Sequence, residues 1–307
     1  MSSQQSQPRG LKDRLQFAFI RGVLWLMHRL PYRWRVPFSG WVLSRLVAPL
    51  VGWRKRIAAN LALVAPETPA AEVARIQRAV PDNFGRTLAE LFSPDDFLKV
   101  ARATTLEGPG LAALEQARAE GRPSMLVSGH FGNYDVVRAG VIARGFQVGG
   151  IYRPMNIRQF NDIYVDTISR IGEPLFSRGR RGMAEMMRFL KSGGTLAVLI
   201  DQRLNNGVAL NYFGHTAYTA LSFAELALKY NATVVPCYGI RQPDGLSFRA
   251  VLEEPIAHTT PEDMTQALND SLEARVRQHM GQWLWFHNRW KEIPAATAGD
   301  PEEETTA

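Results

Sequence analysis

The sequence has almost no cysteine: Cys237 is the single one among 307 residues. It lies in the apolar run at 234–238, which is typical of a small buried side chain rather than a nucleophile. One cysteine excludes a disulfide framework within the chain and indicates a reducing compartment. The sequence also has no Cys/His spacing typical of zinc and no glycine-rich nucleotide fingerprint. We therefore expect neither a metal nor a cofactor.

Long apolar runs are also missing, because none reaches the roughly 20 residues that span a bilayer. No small-residue cleavage site follows the apolar stretch near the N-terminus, which argues against a signal peptide. Residues 11–30 are instead predicted to form a helix with Arg14, Arg21 and His28 in one stripe. Opposite this stripe lie Leu15, Phe19, Val23, Leu26 and Leu30. Together with a second apolar segment at 41–53, this pattern favours helices lying in the surface of an anionic membrane. A helix docked on the protein core is the alternative.

Acidic residues are scarce at the start of the chain. Residues 1–56 contain one acid, Asp13, against eleven lysines and arginines, and the whole chain carries a net charge of +7. The residues after Lys291 are acidic and contain no base. The basic excess predicts anionic partners. We predict disorder at 1–10, membrane-associating helices at 11–53, one globular domain at 54–292 and a disordered acidic tail at 293–307.

From residue 124 onward, strand-like and helix-like patterns alternate. The candidate strands are 124–128, 146–152, 195–200, 233–240 and 247–252. The candidate helices are 135–144, 157–170, 180–191, 219–230 and 262–280, preceded by 54–61, 70–80, 82–92 and 111–120. This alternation predicts an α/β fold with a mostly parallel central sheet flanked by helices.

The most informative stretch is Ser128-Gly129-His130-Phe131-Gly132-Asn133-Tyr134-Asp135. It joins a short apolar strand to a helix, so His130 should lie at the carboxyl edge of the sheet, where α/β proteins bind ligands. Asp135 meets His130 only if the histidine lies in the turn and the aspartate in the first helical turn. A carboxylate there would fix the imidazole tautomer and leave the other nitrogen free to accept a proton. A hydrogen-bonded core histidine is the alternative.

Further charged residues follow other predicted strands. Arg153 follows the strand at 146–152, and Asp201 and Arg203 follow the strand at 195–200. Burying such groups unpaired is costly, so they are either functional or a structural ion pair. A second arginine set opens the helix at 180–191, where an anion site is plausible and a solvated face is the alternative. This set is Arg178, Arg180 and Arg181.

The block from His130 to Asp135 resembles the His-x4-Asp/Glu block of the glycerolipid (lysophospholipid) acyltransferase superfamily. Its form is similar to the late acyltransferases of lipid A biosynthesis, the lauroyl/myristoyl transferase family. Other blocks agree in order and spacing over roughly residues 15–292. These are Arg56-Ile57-Ala58-Ala59-Asn60-Leu61, Tyr152-Arg153-Pro154, Asp201-Gln202-Arg203, Tyr212-Phe213-Gly214 through Thr219, and Trp285-Phe286-His287-Asn288-Arg289-Trp290-Lys291. The family usually has glutamate at the position of Asp135.

The resemblance implies transfer of a fatty acyl chain from acyl carrier protein to a hydroxyl of a lipid A precursor, on the cytoplasmic face of the inner membrane. His130 would act as general base and Asp135 would orient it, without a covalent enzyme intermediate. By position, Arg170 and Asp201 resemble further residues that the family requires. The candidate substrate-binding residues are Asn133, Arg153, Arg170, Arg178, Arg180, Arg181, Asp201 and Arg203. The sequence does not choose between acyl carrier protein and coenzyme A as donor.

Three alternatives remain open. The same chemistry could act on an ornithine-type aminolipid or another phosphoglycolipid. A hydrolase could use Ser128 or a metal with His130, although no nucleophile-elbow pattern is present. A non-catalytic membrane-binding or nucleic-acid-binding module would leave His130, Asp135 and Asp201 without a purpose, and we expect no nucleic-acid partner.

Overall fold

The structure is a computed structural model that describes residues 10–291, with side chains from Arg14 onward. The expectations of disorder at 1–10 and 293–307 lie outside the described residues, except that Gly10 begins the first helix. Among the described residues, no helix has the length and apolar character needed to cross a membrane.

The N-terminal third is helical. Its elements are α1 (Gly10–His28), α2 (Tyr32–Val42), a π-helical segment (Leu43–Val47), α3 (Ala48–Leu50), α4 (Trp53–Val64), α5 (Ala70–Leu91), α6 (Pro94–Ala103) and α7 (Gly110–Ala119). The helix predicted at 11–30 is confirmed. The two helices predicted at 70–80 and 82–92 form one continuous helix, α5, because the buried Pro81 is accommodated inside it.

Helices α2 and α5 pack closely because both carry a glycine at the crossing. A Cβ atom at Gly85 would lie 2.6 Å from the Ser39 carbonyl oxygen, and one at Gly40 would lie 2.8 Å from the Asp82 carbonyl oxygen. Real Cβ atoms do not approach a carbonyl so closely, so larger residues would separate the helices. The buried Arg35 donates to Ser93 Oγ at 2.7 Å and to the Leu30 carbonyl at 3.0 Å. It thereby ties the end of α1 to the body of the protein.

The central sheet has seven strands in the order β1-β9-β8-β2-β5-β3-β4. They are β1 (Leu106–Glu107), β2 (Ser124–Ser128), β3 (Val148–Tyr152), β4 (Leu175–Ser177), β5 (Thr195–Leu199), β8 (Thr233–Arg241) and β9 (Phe248–Leu252). All pairs are parallel except β8 with β9, so the predicted mostly parallel α/β fold is confirmed. The five predicted strands are all present, whereas β1, β4 and the separate hairpin of β6 (Val208–Tyr212) and β7 (His215–Thr219) were not predicted.

Helices cover both faces of the sheet. The remaining helices are α8 (Asp135–Ile142), α9 (Arg158–Ile171), α10 (Arg180–Lys191), α11 (Ser222–Tyr230) and α12 (Pro261–Gln278). One core lies between the sheet and α8 and α9, and another between the sheet and α10, α11 and α12. Every residue of β2 is buried, which explains its uninterrupted run without polar alternation. The turn after β2 therefore lies at the middle of the sheet's carboxyl edge.

Candidate active site

His130 lies in the turn between β2 and α8, as predicted, and its carboxylate partner is Asp201. The imidazole Nδ1 lies 2.8 Å from Asp201 Oδ1, and the backbone N–H of His130 donates to Asp201 Oδ2 at 2.7 Å. Asp201 follows β5, the parallel neighbour of β2 in which Leu199 pairs with Ser128. Because a carboxylate only accepts, the hydrogen-bond partner of Asp201 is Nδ1–H, which leaves Nε2 as the basic nitrogen.

Trp283 completes the set of donors around this carboxylate. Its indole Nε1–H donates to Asp201 Oδ2 at 2.9 Å, and both side chains are buried. The Trp283 backbone also forms a bridge to Phe131, next to the histidine. Three donors therefore fix the Asp201 carboxylate in one orientation toward His130.

The sequence predicts that Asp135 contacts and orients His130, but the structure pairs Asp135 with another residue. Asp135 is the first residue of α8, and its Oδ1 faces Arg138 Nη1 at 3.4 Å, one helical turn further on. The helix directs the Asp135 carboxylate along its own axis, whereas the neighbouring strand brings Asp201 directly to the imidazole. Asp135 still lines the same pocket as His130.

The electrostatics of the pair follow from this geometry. Burial lowers the pKa of His130, but the charge of Asp201 and the hydrogen bond to it outweigh burial, so the pKa of His130 is raised. Burial works against the Asp201 carboxylate as well, yet His130 and the hydrogen bonds it receives lower the pKa of Asp201 to about 2. Burial raises the pKa of Asp135, which Arg138 partly opposes. Asp201 is therefore the stable anion, and His130 the group that titrates.

Two glycines allow the turn to form. A Cβ at Gly129 would lie 3.0 Å from Asp201 Oδ2 and 2.7 Å from Leu272, so a side chain there would displace the carboxylate. Gly132 has φ +54, and a Cβ on it would lie 2.0 Å from the Gly239 carbonyl oxygen. Thr87 and Asn83 of α5 donate to the Gly132 carbonyl at 3.0 and 3.1 Å. Helix α5 thus stabilises the turn through these two hydrogen bonds.

Asn133, predicted to bind substrate, is instead a buried structural residue. Its Nδ2 donates to Glu90 at 2.8 Å, and its Oδ1 accepts the backbone N–H of Asp135 at 3.0 Å. Glu90 also pairs with the buried Arg241 at 2.5 and 2.7 Å. Asn133 thus links this ion pair to the start of α8 and does not line the pocket.

A pocket of about 600 Å³ opens at His130, within the range typical of small-molecule sites. Arg153 and Arg178 line it, as predicted, together with several residues that the sequence did not single out as site residues. These include Tyr134, Arg138, Tyr164, Gln202 and Met183. Apart from Asp135 at its start, α8 is apolar, and the basic residue buried within it is the signal that could have drawn attention to Arg138.

The other predicted arginines do not line this pocket. Arg170 lies on the outer side of α9 and forms an ion pair with Asp95. Arg180 and Arg181 are exposed at the start of α10, and Arg181 pairs with Glu185 at 3.0 Å. Arg203 is next to the pocket residues Gln202 and Leu204, and its backbone N–H donates to His287 Nε2 at 3.1 Å.

The early and late sequence blocks meet in space. Asn60 of α4 donates to the carbonyls of Trp285 and His287 at 2.6 and 3.0 Å, and Arg56 donates to that of Phe286 at 3.2 Å. The same C-terminal segment supplies Trp283 to Asp201. The two blocks therefore hold the segment whose Trp283 donates to Asp201.

Together, the fold and the site describe an α/β enzyme with a histidine–carboxylate pair at the carboxyl edge of its sheet, beside a deep, partly apolar pocket. Among the described residues, no group of histidine, cysteine, aspartate and glutamate is arranged to hold a metal. The chain belongs to the bacterial lipid A biosynthesis acyltransferase family, whose sequence model matches residues 5–292. The protein is thus an acyltransferase.

Three relatives show the breadth of the similarity. A lipid A biosynthesis palmitoleoyltransferase of Escherichia coli (strain K12) is 26% identical over 292 residues, covering 89% of this chain and 90% of the relative. A lipid A biosynthesis acyltransferase of Haemophilus influenzae is 26% identical over 268 residues, 83% of this chain and 82% of the relative. A phosphatidylinositol mannoside acyltransferase of Mycobacterium tuberculosis (strain H37Rv) is 23% identical over 248 residues, 78% of each chain.

Proposed function

We propose that the protein transfers a fatty acyl chain from acyl carrier protein to a hydroxyl of a lipid A precursor, with His130 as general base oriented by Asp201. The observation that carries this proposal is the hydrogen bond from His130 Nδ1 to Asp201 beside the pocket. It leaves Nε2 to accept the proton of the acceptor hydroxyl. A raised pKa makes His130 a stronger base than a free imidazole.

The reaction then follows in two steps. As His130 Nε2 takes the proton, the acceptor oxygen attacks the thioester carbonyl and forms a tetrahedral oxyanion. When the intermediate collapses, the C–S bond breaks, the new C–O ester bond remains, and His130 returns the proton to the departing thiolate. Arg153 and Arg178 line the pocket and supply cationic N–H groups for the oxyanion or for anionic substrate groups. No covalent enzyme intermediate is required.

The identity of both substrates rests on charge and on the relatives. The net charge of +7 suits an acidic carrier protein and a phosphorylated glycolipid. The similarity to a phosphatidylinositol mannoside acyltransferase favours a second candidate acceptor, another phosphoglycolipid. An ornithine-type aminolipid is the third acceptor to compare, and coenzyme A the second donor.

The assay uses the purified chain with acyl carrier protein or coenzyme A thioesters and each of the three acceptors. We expect mass spectrometry to find one added acyl chain on the lipid A precursor, with the carrier-protein donor preferred. Lipid extracts of a deletion strain should lack the same chain. Transfer only to another acceptor would replace the lipid A assignment, and no transfer by the folded protein to any acceptor would contradict acyl transfer at this site.

We further propose that the N-terminal helices hold the enzyme on the cytoplasmic face of the inner membrane. Apart from Val208, the large apolar side chains that the described part of the chain exposes are all at 15–63. They are Leu15, Phe19, Val23, Trp25, Leu26, Trp34, Phe38, Trp41, Leu46, Leu50, Val51 and Leu63. An apolar patch of this kind marks an interaction surface. Arg14 and Arg21 beside it would each add about 1 kcal/mol of attraction to anionic lipid.

Point variants test the membrane assignment better than a truncation, because α2 packs closely on α5. Phe19→Glu with Trp25→Glu should reduce binding to anionic vesicles, and Arg14→Glu with Arg21→Glu should do so most strongly at low salt. Val208→Glu, on the exposed β6 strand, is the matched control and should bind normally. If the α1 variants sediment with vesicles as fully as the control does, the membrane contact lies elsewhere.

A further inference from the structure

Residues from both faces of the sheet line the pocket at His130, and we call the part of the pocket on each face a lobe. One lobe is lined by Leu126, Ile168 and Ala197, which pack with the core under α8 and α9. The other is lined by Met183, Val198 and Phe223, which pack with the core under α10 and α11. The division arises because neighbouring residues of β5, Ala197 and Val198, point to opposite faces. The first lobe lies on the side of Tyr134 and Asp135.

The floor of the α8/α9 lobe is one row of residues across four strands. Leu126 pairs with Ala197, Ala197 with Gly150, and Gly150 with Leu175. All four line the pocket. Along the strands, the row lies two residues before the Ser128–Leu199 pair at the sheet edge. This places the floor about 7 Å from that edge. Because Ala197 and Gly150 are small, other groups can approach the middle of this floor closely.

Arg138 closes the inner end of the same lobe. Its guanidinium is buried and lies across Gly150, where a Cβ would come within 3.3 Å of Arg138 Cζ. Nη2 donates to the Gly172 carbonyl at 2.5 Å, and Nη1 faces Asp135 Oδ1 at 3.4 Å. The guanidinium is therefore fixed from two sides, by the helix that carries it and by the residue that follows α9.

We propose that Arg138, held by Asp135 and Gly172, is the end stop for the donor's acyl chain and so determines which chain length the enzyme prefers. A hydrocarbon chain that enters this lobe gains by burying each methylene against Leu126, Ile168 and Leu175. It cannot continue past the guanidinium without separating a buried charge from its partners, which costs more than another methylene gains. A chain too short leaves the lobe partly empty. The inference rests on the acyl transfer proposed above.

The test compares transfer from lauroyl, myristoyl, palmitoyl and stearoyl carrier-protein donors in wild type and two opposing variants. Arg138→Ala removes the stop, and we expect the ratio of kcat/KM values to move toward the longer donors by at least about ten-fold. Ala197→Val adds bulk to the floor and makes the lobe shallower, and we expect an equal shift toward the shorter donors. Arg144→Ala, on the exposed surface just after α8, is the matched arginine control and should keep the wild-type ratio.

The ratios separate this inference from the proposed function. If wild type transfers no acyl chain from any donor, the proposed function fails first. If both pocket variants transfer acyl chains with the wild-type preference, the function stands and Arg138 is not the end stop. Circular dichroism and thermal melting show whether Arg138→Ala folds. If it does not, the donor preference of Ala197→Val decides the test. An unchanged preference in Ala197→Val would place the acyl chain in the α10/α11 lobe and overturn the proposal.

Discussion

An aspartate follows each of the neighbouring strands β2 and β5, and the two aspartates have different partners. Asp135, five residues from His130 in sequence, faces Arg138 at 3.4 Å. Asp201, 71 residues away, accepts three hydrogen bonds, two from His130 and one from Trp283, at 2.7–2.9 Å. The difference shows that the pairing of parallel strands, rather than spacing along the chain, decides which carboxylate orients the histidine.

The two buried aspartates, Asp201 and Asp135, also differ in their pKa values and in their positions. The pKa of Asp201 is lowered to about 2, because the hydrogen bonds and His130 outweigh burial, so Asp201 is the anion of the pair. The pKa of Asp135 is raised by burial, and its carboxylate lines the pocket and faces Arg138. One acid therefore supports the base, and the other shapes the pocket.

Removing the base should have the largest effect. His130→Ala is expected to lower kcat by about 10²–10⁴, because loss of general-base catalysis typically costs that much. Thermal melting should show that the fold is retained. His258→Ala is the control, since His258 Nε2 donates to the Ala232 carbonyl at 2.9 Å and His258 does not line the pocket. Near-normal turnover of His130→Ala would contradict the mechanism.

Replacing each of the two aspartates by asparagine in turn should separate their roles. Asp201→Asn is expected to reduce kcat by about 10² or more, because the amide no longer stabilises the imidazolium. Asp135→Asn should reduce kcat less and lower the melting temperature more, because it leaves the buried Arg138 charge unpaired. Steady-state kinetics and melting curves on both variants provide the measurement. Equal kinetic losses would mean that both acids act directly on His130.

The dependence of kcat on pH should also differ between the two aspartate variants. The base must be neutral to accept a proton, so wild-type activity should fall as pH drops through the raised pKa of His130. Removing the charge of Asp201 removes what raises this pKa, so Asp201→Asn should move the acidic limb of the kcat profile to lower pH. Asp135→Asn should leave the limb in place. A limb that moves only in Asp135→Asn would reverse the assignment.

A smaller effect is expected at the third donor to Asp201. Trp283→Phe removes the indole N–H and keeps most of the packing, so kcat should fall by about ten-fold, the worth of one hydrogen bond to a charged group. Trp285→Phe is the matched control, because its indole donates to the Met280 carbonyl at 2.7 Å and not to Asp201. If both variants lose the same activity, the effect of Trp283 is one of packing.

The smallest effect should come from the arginine on the outer side of α9. Arg170 pairs with Asp95 and is half exposed, so Arg170→Ala should change kcat/KM less than about two-fold, as surface ion pairs contribute little. Arg153→Ala, which removes a pocket cation, should lower kcat/KM more. A larger loss at Arg170 than at Arg153 would restore the substrate-binding role that its position in the sequence indicates.

Much of the fold could be predicted, because buried parallel strands such as β2 appear as short apolar runs with helices between them. The short strands β1 and β4 could not, because two or three residues carry no periodic signal. The helix through Pro81 was divided in the prediction, since proline normally ends a helix and its tolerance here depends on tertiary packing. Local patterns therefore predicted the long elements and their order, and packing determined the rest.

The position of His130 in the candidate site could be predicted from the sequence, but its pairing with Asp201 could not. The glycines on either side of His130 and the strand before it place the histidine correctly, and Asp201 stood out as a charge after a buried strand. The order of strands in the sheet, β2 beside β5, is what joins them, and a single sequence does not specify that order. Arg170 and Asn133 were misplaced because side-chain direction on α9 and in the turn depends on neighbours distant in sequence.

The most direct test is an NMR titration of His130 in protein labelled with ¹⁵N in its six histidines, assigned by comparison with His130→Gln. We expect a neutral imidazole with its proton on Nδ1 and a pKa above the ordinary value of about 6.5. In Asp201→Asn this pKa should fall, and in Asp135→Asn both the pKa and the tautomer should remain as in wild type. A pKa and tautomer that change in Asp135→Asn but not in Asp201→Asn would contradict the assignment of Asp201 as the partner of His130.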